Sequence, residues 1–89
     1  MKRILQTILD FNRKAKSVDR VNLNITIKNT KSFEYAYLIK VDKEMVIFSS
    51  NREIVCVRLE DINYIVYDKY HEELHNKIME LVGDLAPFS

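Results

Sequence analysis

Val21, Leu23, Ile25 and Ile27 alternate strictly with Asn22, Asn24, Thr26 and Lys28, and a period of two places every second side chain on one face of a half-buried strand. Upstream the period changes: Ile4, Leu5, Ile8, Phe11 and Ala15 recur at helical spacing, which predicts an amphipathic helix over 2–15 with one apolar stripe. After the polar stretch Asn29-Thr30-Lys31-Ser32, whose short side chains suit a turn, alternation resumes. Phe33, Tyr35, Tyr37, Ile39 and Val41 fall on one face, with Glu34, Ala36, Leu38, Lys40 and Asp42 on the other. The aromatic-rich face is expected to be the one that packs into the core. Met45 to Ser49, Glu53 to Leu59 and Ile62 to Tyr67 read as three further strands, rich in β-branched residues and separated by short polar turns.

A closing helix follows. Tyr70, Leu74, Ile78, Leu81 and Val82 repeat at helical spacing, Asp68 is placed to accept a bond from a free amide of the first turn, and Gly83 with Pro87 beyond it marks the end. Five short strands joined by tight turns favour antiparallel pairing, because parallel neighbours need long crossovers. The predicted architecture is α+β and mainly β: an N-terminal helix, a five-stranded antiparallel and strongly bent sheet or small barrel, and a C-terminal helix. Residues 1–89 make one domain, which at this length buries about two-thirds of the surface of its unfolded chain.

Composition narrows the chemistry. A single Gly and a single Pro in 89 residues leave nothing from which to build a glycine-rich phosphate loop. No apolar run approaches membrane-spanning length, and Met1-Lys2-Arg3 is followed by too short an apolar stretch for a secretion signal. The one Cys, Cys56, sits between Val55 and Val57. It reads as a small buried hydrophobe of a protein kept in a reducing compartment, the cytoplasm.

Net charge is only +1, but its sign is unevenly spread. Lys2, Arg3, Arg13, Lys14, Lys16 and Arg20 outweigh Asp10 and Asp19 at the start of the chain, while Glu60, Asp61, Asp68, Glu72, Glu73, Glu80 and Asp84 outweigh Lys69 and Lys77 at its end. Arg3, Arg13 and Lys14 on the first helix and Glu72, Glu73 and Glu80 on the second are therefore candidate interaction residues, in cis or between copies. The near-neutral total argues against a dedicated nucleic-acid module.

His71-Glu72-Glu73-Leu74-His75 matches H-E-x-x-H, in which two His at i and i+4 on one helical face hold zinc and the Glu activates a water. A catalytic site needs a third ligand as well. The extended form of the motif places Gly and His where this chain has Ile78 and Leu81. The pattern is expected to be a chance match on a solvated helix, with a zinc-dependent hydrolase on His71 and His75 retained only as a remote alternative and no cofactor assigned. Tyr35, Tyr37, Tyr64, Tyr67 and Tyr70 also match an aromatic stacking platform for bases, although core packing accounts for Tyr35 and Tyr37.

Ala36-x-Leu38-x-x-x-Asp42-x-x-Met45, followed by Arg58-x-x-x-Ile62-x-x-Ile65, resembles the two-part signature of Sm-like proteins, small barrels usually assembled as rings that bind RNA. The resemblance covers about residues 21–67, and it implies an SH3/Sm-like barrel. Where that family carries Gly, this chain has Ala36 and Leu59, and where it carries Asn this chain has Val46, which offers no amide to a base edge. Carried over residue by residue, the RNA contacts it implies are Asp42, Met45 and Arg58. The expectation from the chain as a whole is a non-catalytic interaction or regulatory module. It acts through protein contacts and as a homo-oligomer, with an RNA-binding ring as the alternative.

Overall fold

The computed structural model describes residues 1–28 and 31–85, with the side chains of residues 84 and 85 excepted. Helix α1 (Lys2–Lys14) leads through a short 3-10 turn at Ser17–Asp19 into β1 (Leu23–Ile27) and β2 (Ser32–Val41). Then come β3 (Met45–Ser50), β4 (Glu53–Arg58), a second 3-10 turn at Leu59–Asp61, β5 (Ile62–Tyr67) and α2 (Glu72–Leu85). The strands form one antiparallel sheet in the order β4-β3-β2-β1-β5. It is an open sheet and not a closed barrel, so β4 and β5 are both edge strands.

One face of this sheet and the inner stripes of the two helices share a core. Leu5, Ile8, Leu9 and Phe11 of α1 and Leu74 and Ile78 of α2 close over Leu23, Ile25, Ala36, Leu38, Val46, Phe48 and Ile62. Asn12 is the polar member of α1's inner face. Fully buried, it donates through Nδ2 to the Val21 carbonyl at 2.9 Å and accepts the Val21 N–H at Oδ1 at 2.8 Å. One side chain thus satisfies both backbone groups of the residue that leads into β1, and it fixes the helix to the sheet.

The simple alternation expected of β2 is broken twice. Phe33 pairs with Ile25 and Ala36 with Leu23, so Glu34 and Tyr35 together oppose the single residue Asn24. Tyr35 takes a positive φ of 53° there. A second extra residue, Ile39, lies between the pairs Leu38–Phe48 and Lys40–Ile47. Each bulge bends the strand and resets which side chains face inward. The inward set is consequently Phe33, Ala36, Leu38 and Val41, while Tyr35 is 67% exposed and Ile39 also points to solvent. The expectation that Tyr35, Tyr37 and Ile39 form the core face is overturned, because a period-two reading cannot survive an inserted residue. Asn63 makes a third bulge, between the pairs Thr26–Tyr64 and Ile27–Ile62.

Three smaller expectations change too. Asp68 does not cap α2, which begins at Glu72; its carboxylate accepts the Asn22 N–H at 3.1 Å, and its own N–H donates to the Asn22 carbonyl at 2.9 Å. Gly83 lies within α2 rather than ending it, and Pro87 is outside the described residues. So is half of the expected turn at 29–32, namely Asn29 and Thr30. Cys56 is exposed and not buried. On β4 the inward side chains are Val55 and Val57, and Cys56 alternates with them onto the outer face.

Candidate interaction surfaces

Of the residues the Sm-like resemblance singles out, two come together. Met45 and Arg58 are cross-strand partners at the ends of β3 and β4, and with Lys43, Glu44, Leu59 and Glu60 they line an open cleft of about 420 Å³. Asp42 is not part of the lining. Its carboxylate accepts the Lys43 N–H at 2.7 Å, and its own N–H donates to the Met45 carbonyl at 2.8 Å, which makes it the residue that turns β2 into β3. The Arg58 guanidinium is engaged by the Glu60 carboxylate at 3.0 Å. Two carboxylates and two cations make the cleft nearly charge-balanced, which is a poor electrostatic match to a phosphate chain.

The motif of two histidines is split by the start of the helix. His71 precedes α2 and its carbonyl accepts the His75 N–H at 2.8 Å. Its ring stands edge-on to Phe11 with centroids 4.6 Å apart, whereas the His75 ring lies against Tyr70 at 5.2 Å. Nδ1 of His71 is buried and has no hydrogen-bond partner among the described residues. Among the described residues no group of three or more His, Cys, Asp or Glu is arranged to hold a metal ion.

The two helices lie side by side in cis. Phe11 near the end of α1 meets His71 at the start of α2, and Arg3 and Thr7 near the start of α1 share a cleft with Leu81 near the end of α2, so the pair runs antiparallel. Arg3, Arg13 and Lys14 are exposed on α1, and Glu72, Glu73 and Glu80 are exposed on α2. The nearby ion pairs stay within one helix: Arg13 with Asp10 at 3.9 Å and Lys77 with Glu73 at 3.4 Å. None crosses between α1 and α2 among the described residues.

Sequence reasoning passed over the sheet's edges as specific sites. The edge strand β5, Ile62-Asn63-Tyr64-Ile65-Val66-Tyr67, contains no charged residue, no Pro and no Gly. Tyr64 and Val66 point outward from it, 53% and 51% exposed. On the opposite edge, the β4 residue Ile54 is 69% exposed. The signal was present in the sequence as a strand without a charge, a property that β5 shares with β1 and β3. What it lacked was the strand order, which makes β5 an edge while β1 and β3 are flanked on both sides.

No helix among the described residues is long and apolar enough to cross a membrane. Compared with protein-family models, with curated proteins and with solved structures, the chain matches none. What the fold defines is therefore a class by architecture: an α+β protein in which two antiparallel helices cover one face of an open, five-stranded antiparallel sheet.

Proposed function

We propose that this protein is a non-catalytic interaction module of the cytoplasm that self-associates through the edge of its sheet. The carrying observation is β5. An edge strand presents a row of unpaired N–H and C=O groups, and proteins that stay monomeric blunt such edges with charges, Pro or cover. Here the edge is uncharged and carries two exposed apolar side chains, Tyr64 and Val66. Adding a strand from a second copy would satisfy the backbone and bury both. The second edge, β4, is free to accept the next copy, and its exposed thiol, Cys56, fits a compartment that keeps thiols reduced. The test is molar mass by light scattering at about 0.5 M salt, where charged contacts are screened, for the parent and for Val66→Lys, a gatekeeper charge at an exposed position. The parent is expected to be oligomeric and the variant not; a monomeric parent that recovers no partner from extract overturns the reading.

A second reading, RNA binding, would use Lys43, Met45 and Arg58, which line one cleft with Glu44 and Glu60 beside them. It predicts salt-dependent retention of short uridine- or adenine-rich RNA that Arg58→Ala weakens. Absence of retention at low ionic strength ends it.

A further inference from the structure

We infer that the helix layer is a second, independent docking surface, and that its occupant is the helix layer of another copy, seated about a two-fold axis. Opposite charge on two neighbouring helices points to that occupant. The outer face of α1 carries Lys2, Arg3, Arg13 and Lys14 against Asp10, and the outer face of α2 carries Glu72, Glu73 and Glu80 against Lys77. The helices are neighbours and antiparallel, so each copy offers one basic and one acidic strip, side by side on the surface turned away from the sheet.

A two-fold axis lying in the contact plane, parallel to the helices and midway between them, turns the layer over. It sets α1 of each copy on α2 of its partner. Rotation about an axis along the helices keeps their direction, so the crossed pair is antiparallel, like the pair within one chain. Lys14 then meets the Glu72 and Glu73 end of the opposing α2, and Arg3 meets the end that carries Glu80. Both ends match in sign at once, and the symmetry makes every contact twice. A two-fold axis in the same plane but perpendicular to the helices would instead set α1 on α1 and α2 on α2, like charge on like.

The groove between the helices, about 310 Å³ and lined by Thr7, Asp10, Phe11, Lys14, Lys77 and Leu81, gives the opposing side chains somewhere to enter. Helices of this length span about 20 Å at a rise of roughly 1.5 Å per residue. The layer is thus at the small end of specific interfaces. Exposed ion pairs contribute little individually, and the contact is expected to be weak, reversible and salt-sensitive.

The experiment uses the full chain carrying Val66→Lys, which removes the β5 edge contact and makes this test separable from that one. Sedimentation equilibrium is run at about 0.05 M and about 0.5 M salt, where screening lengths fall from roughly 14 Å to roughly 4 Å. Dimers at low salt that weaken at least tenfold at high salt are expected. Arg3→Glu with Lys14→Glu should abolish them, as should Glu73→Lys with Glu80→Lys, each with an unchanged circular dichroism spectrum. An equimolar mixture of the two variants should restore the dimer, because reversed basic and reversed acidic strips are again complementary. A low-salt monomer, dimerisation indifferent to the charge reversals, or failure of the mixture to recover would overturn the inference. So would a monomer whose basic strip instead retains a short RNA duplex, since that assigns the face to nucleic acid.

Discussion

Asn12 is the residue on which the helix-to-sheet joint depends. Its amide takes both backbone groups of Val21 in a place where no water reaches them. Asn12→Ala would leave a buried N–H and a buried C=O unpaired, and at about 1–3 kcal/mol for each orphaned group the expected loss is about 2–6 kcal/mol of unfolding free energy, read by urea titration. His71 behaves in the opposite sense. Its Nδ1, buried against Phe11, finds no partner among the described residues, so an apolar ring of similar shape relieves a desolvation cost. His71→Phe is expected to raise stability by about 1 kcal/mol and to leave the zinc content of the protein as it was; loss of bound zinc would revive the two-histidine site. Neither role is legible from spacing alone. An Asn inside an amphipathic pattern looks like a solvated position, and H-E-x-x-H says nothing of where the helix starts.

At the scale of elements the sequence reading succeeds where period and turn chemistry agree. Residues 2–14 form α1 because Ile4, Leu5, Ile8 and Phe11 keep one face, and β5 runs from Ile62 to Tyr67 as its apolar content implies. It fails inside β2, where the bulges at Tyr35 and Ile39 shift the inward face without any Gly to announce them. The hairpin between β3 and β4 offers a direct check on backbone strain. Asn51 and Arg52 have φ of 50° and 66° between the paired Ser50 and Glu53, the two-residue turn with both central residues left-handed. Asn tolerates that conformation and Arg does so at a cost, so Arg52→Gly should stabilise the fold by about 0.5–1 kcal/mol, measurable as a rise in denaturation midpoint at unchanged slope. A decrease would mean that the Arg52 side chain contributes more than its backbone strain removes.

For the whole molecule, the helix–five strands–helix order and the antiparallel sheet follow from the hydrophobic pattern, but the openness of the sheet does not. Whether β4 and β5 meet depends on how sharply the sheet coils, and that is set by bulges a single sequence does not announce. The candidate site suffers from the same gap. Met45 and Arg58 are neighbours, as the strand layout implies, yet Glu60 neutralises the guanidinium and Asp42 serves its own turn. The uncharged run of β5 becomes meaningful only once the strand order exposes it. On the proposed reading, the two edges and the two helix strips are what this molecule offers to others.

Molar mass by multi-angle light scattering, taken over a range of concentrations at about 0.5 M salt, where contacts between charged strips are screened, tests the claim that β5 drives assembly. A mass that is a multiple of the single chain for the parent, falling to that of the single chain for Val66→Lys, is the predicted result. A parent that keeps the mass of one chain at every concentration, or a variant as large as the parent, contradicts it.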